Sequence, residues 1–399
     1  MILSGNLKNV HSDIRGDIYM HALELEKQGH KVLKLNTGNP AAFGFKMPQS
    51  IKERIITDVE KALGYCDIRG MEKSKNAIKD YHLSRGIKGV CEDDIFIANG
   101  VSEAAYMIIT AISGSGDEIL VPTPCYSLWT NFTYLAGGNV KFYKCDESND
   151  WQPDIDSIKR SITSKTKAIV LINPNNPTGA LYSKEILLEI IEIARKNNLI
   201  IISDEIYDRL VLDGKQHIPT GALCDDVTVV TMNGLSKSHC ICGLRCGWLC
   251  ISGKEKEKRI LREALIKIAS VRLCSNALMQ LIIPDALRDC AYTENMINEN
   301  GRLTKQRNAV MEELSKIDGI SFVKNTAAFY LFPKLDIKKY GFESDREFAR
   351  ELLDNKKILI IPGSGFNCVD KKHFRIVMLP EEDTLRKAIN DIGDFLNQR

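Results

Sequence analysis

No stretch of the 399-residue sequence is long and apolar enough to span a bilayer, and Met1 to Gly16 lack the apolar core of a secretory signal. A cytoplasmic protein is the expectation. An excess of one charge sign is missing too: 54 Lys and Arg face 52 Asp and Glu, a formal net charge of +2. With no long-range field, neither nucleic acid nor an anionic membrane surface is an expected partner, and recognition by charge must be local. Internal repeats, low-complexity tracts and long linkers are absent. Gly114-Ser-Gly116 and Gly363-Ser-Gly365 do not extend to G-x-G-x-x-G before a helix, which argues against a dinucleotide fold.

The twelve cysteines form no disulfide framework. They are scattered and often sit in apolar strings, as at Cys274 and Cys290, which reads as reduced thiols, so the sequon Asn131-Phe132-Thr133 carries no meaning. Cys240, Cys242, Cys246 and Cys250 follow C-x-C-x3-C-x3-C, interrupted by Arg245 and Trp248, instead of the paired C-x2-C units of zinc sites. Small apolar packing residues are the expectation, with no metal.

What is present is ordinary globular composition, 44% hydrophobic and 27% charged, in a chain long enough for one large or two unequal domains. Short apolar runs bounded by turn signals recur at Ile119 to Pro122, Ala168 to Ile172, Leu199 to Ser203 and Val227 to Thr231. Such runs, rich in β-branched residues, predict buried parallel strands. Between two of them, Ser183 to Asn197 predicts a helix, with Ser183 as N-cap, Ile186, Leu187, Ile190, Ile191 and Ala194 as its apolar face, and Arg195 and Lys196 at its end. The alternation implies an α/β domain with a mostly parallel sheet, helices on both faces, and ligands beyond the strand C-termini. From about Pro284 the pattern changes to helices such as Leu303 to Lys316 and short strands within Ala328 to Phe332 and His373 to Met378. The expected division is an N-terminal segment, 1–50, joining a small α+β domain at 286–399, with the large domain at 51–285.

Three loops follow three of the strands. Asn173-Pro-Asn-Asn-Pro-Thr-Gly179 forces an irregular turn, and its amides can donate to an oxyanion such as a phenolate; a turn with Asn caps also explains it. In Ser203-Asp204-Glu205-Ile206-Tyr207, a carboxylate at a buried strand end needs a partner. Asp204 can keep a pyridine nitrogen protonated and Tyr207 can bond a ring hydroxyl, while the plainer role for Asp204 is an N-cap. The third loop, Asn233-Gly-Leu-Ser-Lys237, leads to Gly243-Leu-Arg245-Cys-Gly-Trp248. A lysine in an apolar, glycine-rich context favours the nucleophilic amine that forms a Schiff base. Ser236 and Arg245 suit a phosphate, by a hydroxyl and by a planar guanidinium fork, or else a structural ion pair. The order, spacing and strand-end placement of all three together favour the catalytic reading.

In these loops, and over nearly its whole length, the chain resembles the fold type I aminotransferases of class I and II. The resemblance implies that Lys237 carries pyridoxal 5′-phosphate, Asp204 pairs with the pyridine nitrogen, Asn176 and Tyr207 bind the ring hydroxyl, and Arg245 binds the phosphate. The stretch Gly100-Val101-Ser102-Glu103-Ala104 resembles the helix start whose amides receive that phosphate, which agrees with the physics of exposed backbone donors. It also implies that Tyr126 stacks on the ring and that Tyr65 reaches the phosphate of a neighbouring subunit in a homodimer. Arg375 would clamp the substrate α-carboxylate, with Gly38 and Asn39 nearby. One departure is Gly234, where some relatives carry a hydroxyl.

Within the family, the stretches Leu35 to Pro40, Cys145 to Trp151 and Ser12 to Gly16 look most like bacterial alanine aminotransferases that use glutamate and pyruvate, with tyrosine aminotransferases next. The implied mechanism is a ping-pong double displacement with Lys237 as proton shuttle. A dual-substrate enzyme must meet a methyl and a carboxylate side chain, and Arg15 is placed to meet the carboxylate, or is a surface arginine. Ser12 stands where the relatives carry an aromatic residue. Alternatives are a related enzyme that runs elimination, decarboxylation or oxidation on the same cofactor, and a cofactor-binding regulatory module, for which no helix-turn-helix segment or basic arm is visible.

Overall fold

The computed structural model describes residues 3–399. In chain order its first nine strands are β1 (Leu33–Lys34), β2 (Ile95–Ala98), β3 (Glu118–Thr123), β4 (Asn139–Asp146), β5 (Gln152–Pro153), β6 (Thr166–Ile172), β7 (Ile200–Asp204), β8 (Val229–Gly234) and β9 (Gly247–Ser252). Eight of them form one sheet in the order β2-β9-β8-β7-β6-β3-β4-β5. Strands β4, β3, β6, β7 and β8 are mutually parallel; β9 runs antiparallel between β8 and β2, and β5 is an antiparallel edge. The four predicted runs are four of these strands, each within three residues of the expected ends, and the mostly parallel α/β sheet is the architecture found.

A strand buried on both faces offers its alternate side chains to two different cores. On β6, Ala168, Val170 and Ile172 enter one apolar cluster while Ile169 and Leu171 enter another. The helix Lys184–Asn197 covers the second face: Ser183 accepts a hydrogen bond from the Ile186 amide at 3.2 Å, and Leu187, Ile190, Ile191 and Ala194 are buried. Asn198, at φ +52°, ends it in the left-handed conformation that asparagine tolerates. Cys246 and Cys250 pack with Ile95, Ile97 and Trp248 in a further core.

The remaining strands are short: β10 (Ile320–Ser321), β11 (Tyr330–Leu331), β12 (Lys334–Leu335), β13 (Ile358–Leu359), β14 (Ile361–Pro362) and β15 (Phe374–Val377). A three-stranded antiparallel sheet orders β11-β15-β14, and β1 pairs in parallel with β13. Ile18, Ala22 and Leu35 from the N-terminal segment share one core with Val310, Phe348, Phe374 and Ile389. The beginning and end of the sequence are thus packed together beside the large sheet.

The register lines up the strand ends where chemistry is expected. Ile172 pairs with Asp204 and Asp204 with Met232, while Gly234 and Ala98 both face Gly247. Loops leaving this edge enclose a cavity of about 830 Å³.

Candidate active site

Lys237 and Arg245, from the loop after β8, line that cavity together with Asp204 at the end of β7, Tyr207 just beyond it, Asn176 from the loop after β6 and Arg375 from β15. Tyr126, Ser236, Val101, Ser102, Gly38 and Arg15 line it as well. Two residues of the expected set do not. Tyr65 is 87% exposed and outside the cavity. Glu103 is turned away: its carboxylate takes the Asn99 amide at 2.7 Å and an Arg272 guanidinium nitrogen at 2.6 Å, and its own amide donates to Gly100 O. Of the three amides expected to face a phosphate, those of Val101 and Ser102 have no acceptor among the described residues.

The approach to that helix start is made by glycines. Gly100 has φ +82°, and a Cβ there would strike the Arg245 guanidinium, its Cζ at 2.8 Å. At Gly247 a Cβ would lie 2.6 Å from Val101 N. The backbone of β9 therefore passes directly under the exposed amides, with Arg245 laid over Gly100. Gly234 has a similar cause: a Cβ would lie 2.6 Å from Cys246 O, so no hydroxyl-bearing side chain fits there.

The three asparagines of the β6 loop divide the work. Asn173 takes the Tyr182 amide at 2.9 Å and Asn175 takes the Thr178 amide and hydroxyl, so both build the turn. Asn176 faces the cavity and accepts from Arg375 Nη1 at 2.9 Å. Arg375, 1% exposed, donates also to Asn36 O, while its Nε has no partner. Its guanidinium lies 4.4 Å from the centre of the Tyr330 ring and 4.7 Å from that of Phe366. No carboxylate forms an ion pair with it among the described residues, and burial lowers its pKa. A buried, unpaired arginine with a free N–H is a receptor for a carboxylate.

Asp204 is the opposite case. It is 6% exposed, has no cation within ion-pair distance among the described residues, and accepts the Ile206 amide at 3.3 Å, so that it closes a turn and caps no helix. The indole N–H of buried Trp129 points toward it without closing a hydrogen bond of normal geometry. Burial pushes its pKa up to about 6. A carboxylate in this position is balanced by a cation such as a protonated ring nitrogen. Tyr207 shares a hydroxyl hydrogen bond of 2.9 Å with Tyr330, and burial raises its pKa. Lys237 Nζ donates to Gly38 O at 2.8 Å and sits 5.8 Å from the Phe329 ring centre.

Tyr330 is a site residue that sequence reasoning passed over. Its hydroxyl contacts the Gly38 position, its ring supports Arg375, and it lines the cavity. The signal was a phenol inside the apolar run Ala328 to Phe332, since a buried tyrosine hydroxyl needs a partner. Asn36 and Trp129 carried no comparable mark.

Fold and site define an α/β enzyme whose strand-end cavity gathers a lysine, an arginine without an anion, a carboxylate without a cation and two free helix-start amides. The family model of aminotransferase class I and II matches residues 30–392, and the chain belongs to that family, whose members depend on pyridoxal phosphate. It is an aminotransferase. It is 46% identical over 394 residues to a glutamate-pyruvate aminotransferase, AlaA, of Haemophilus influenzae, covering 99% of this chain and 98% of that protein. An aminotransferase structure from Escherichia coli superposes with a TM-score of 0.97 at 43% identity, over 100% of this chain and 98% of the other. An alanine aminotransferase from Pyrococcus furiosus gives 0.95 at 37% identity, over the whole of both chains.

Proposed function

We propose that the chain transfers the amino group between L-alanine and 2-oxoglutarate, in the glutamate–pyruvate direction or its reverse, with pyridoxal phosphate carried by Lys237. The observation that carries this reading is the shared cavity of Lys237, Asp204 and Arg375, in which the carboxylate lacks a cation and the arginine lacks an anion. The free amides of Val101 and Ser102, the Ser236 hydroxyl and the Arg245 guanidinium fit a phosphate, and Tyr126 fits a ring face. When bound, the cofactor supplies an electron sink for the electrons of a breaking bond at the substrate Cα.

The chain's own groups do the rest. Arg375 binds and orients the α-carboxylate through its fork, and its stacking on Tyr330 and Phe366 holds that fork in place. Asp204 would hold the cofactor's ring nitrogen and keep a positive charge there. Asn176 and Tyr207 would hold the ring hydroxyl, and Lys237 Nζ, once freed by the incoming substrate amine, would take and return the Cα proton. Arg15, from the N-terminal side of the cavity, meets the distal carboxylate of glutamate.

A homodimer belongs to the same proposal. Tyr65, Leu63 and Ile56 are 87%, 77% and 68% exposed, and Arg272, beside the 89% exposed Val271, donates to Ile68 O at 2.7 Å. Large apolar side chains left this exposed are suited to burial against a second copy. So does the division into a segment at 1–50, a large unit at 51–285 and a small one at 286–399, supported by the core that Leu35 shares with Phe374. Twelve free thiols fit a reducing, cytoplasmic compartment.

The test is the visible spectrum of the purified protein with single amino acids added. A bound-cofactor band that L-alanine and L-glutamate shift, and that pyruvate and 2-oxoglutarate restore, supports the assignment. A band indifferent to both refutes the substrate pair, release of ammonia points to elimination or oxidation, and an unaltered band in Lys237→Ala refutes the role of Lys237.

A further inference from the structure

The loop between β14 and β15 carries a cluster that transamination does not use. Within six residues, Cys368, Asp370 and His373 turn their side chains toward one point, helped by left-handed backbone at Asn367 (φ +61°) and Lys371 (φ +54°). Imidazole Nδ1 of His373 faces both partners at once: Asp370 Oδ1 at 2.9 Å and Cys368 Sγ at 3.6 Å. The thiol sulfur lies 3.5 Å from the same carboxylate oxygen.

These three separations outline one face of a coordination tetrahedron. With metal–ligand bonds of about 2.0–2.3 Å at tetrahedral angles, sulfur stands about 3.5 Å from nitrogen or oxygen, and nitrogen about 3.3 Å from oxygen. Only the nitrogen–oxygen edge has to open. The imidazole is already fixed: its ring stacks on Phe332 at 5.0 Å and 10°, meets the Trp151 edge at 5.3 Å, and its side chain is 1% exposed. The far nitrogen, Nε2, stands 3.2 Å from Glu147 Oε1 without closing a hydrogen bond of normal geometry, at the place an outer carboxylate takes beside a metal-bound histidine. Lys334 in turn holds Glu147 at 2.6 Å and stands 3.8 Å from Asp370. Asp370, with its side chain 37% exposed, leaves an approach from solvent.

We propose that Cys368, Asp370 and His373 form a binding site for a divalent transition metal of the zinc type, with Glu147 in the outer shell. Thiolate, imidazole and carboxylate together favour zinc over magnesium or calcium. Binding removes the thiol proton and the proton held between Nδ1 and Asp370, so a doubly charged ion enters as two protons leave and Lys334 continues to balance Glu147. The ion ties Cys368, two residues beyond Phe366, the ring beneath Arg375, to His373 immediately before β15.

The experiment is equilibrium dialysis of the full-length protein, as purified and freed of adventitious metal, against Zn2+, with Co2+ as the spectroscopic probe. Cys368→Ser, Asp370→Asn and Glu147→Gln are run beside it. One tightly held Zn2+ per chain is expected, with a thiolate-to-Co2+ charge-transfer band that Cys368→Ser abolishes. Glu147→Gln should weaken binding about 10- to 100-fold, the range for outer-shell partners, and loss of Cys368 or Asp370 should exceed that. Asp370 is exposed and Cys368 half-buried against a core, and Cys368→Ser is close to isosteric, so both variants keep the far-UV spectrum of the metal-free protein, checked alongside its melting temperature. No stoichiometric Zn2+, or a Co2+ spectrum and affinity unchanged in Cys368→Ser, overturns the proposal.

Discussion

Arg375→Lys separates charge from geometry at the carboxylate receptor. The guanidinium spends Nη1 on Asn176 and Nη2 on Asn36 O, and its Nε has no partner. Lysine keeps the positive charge but offers one point donor in place of a planar fork, so the substrate carboxylate loses one charge-assisted hydrogen bond. Such a bond is worth roughly 1.5–3 kcal/mol, which corresponds to a fall in kcat/KM of about 10- to 150-fold. The loss should be similar for alanine and glutamate, since both present the same α-carboxylate. The bound-cofactor spectrum should not change. Steady-state kinetics for both amino donors, with the visible spectrum as control, make the measurement. A fall smaller than about threefold, well under one such bond, or a loss confined to one donor, would refute the assignment of Arg375.

Gly247→Ala drives a methyl group into Val101 N and the Gly100 backbone; the melting curve should drop by about 1–3 kcal/mol, typical of overpacking, and cofactor affinity should fall in fluorescence titration. Arg15→Ala should raise the glutamate KM at least about 10-fold, the loss of one charge-assisted bond, and leave the alanine KM within about twofold; an unchanged glutamate KM removes Arg15 from the site. Glu205 is buried, accepts from Ser203 and the Thr220 amide, and burial pushes its pKa up to about 8. Because the folded value lies above the unfolded one of about 4.3, this group's contribution is fully present below pH ~4.3 and is lost as pH rises through about 8. Glu205→Gln, which keeps both accepted bonds, should flatten the stability slope between those limits in urea unfolding, and an unchanged slope refutes the shift.

The large sheet was legible because its strands are buried on both faces, so Ala168 to Ile172 and Leu199 to Ser203 stand out as unbroken apolar runs. β4 was not, since its exposed positions interrupt the pattern, and β9 was masked by the glycine and cysteine content of Gly243 to Cys250. The strand-end polar residues of the cavity were visible for the same reason the strands were: Asp204 interrupts an apolar run abruptly. Asn36 contributes a backbone carbonyl, which no side-chain pattern announces, and Trp129 looks like any core tryptophan. The orientation of Glu103 was also hidden, because its partner Arg272 lies 169 residues away.

The hydrogen bond from Lys237 to the Gly38 carbonyl links the reactive amine to a segment that is otherwise anchored at β1. Once that amine is engaged elsewhere, Gly38 loses its donor, and the stretch between β1 and the turn at Pro40–Phe43 is held by one contact fewer. If Lys237 is the reactive amine, hydrogen exchange at the amides of Thr37 to Asn39 reports its state from a region that performs none of the bond making.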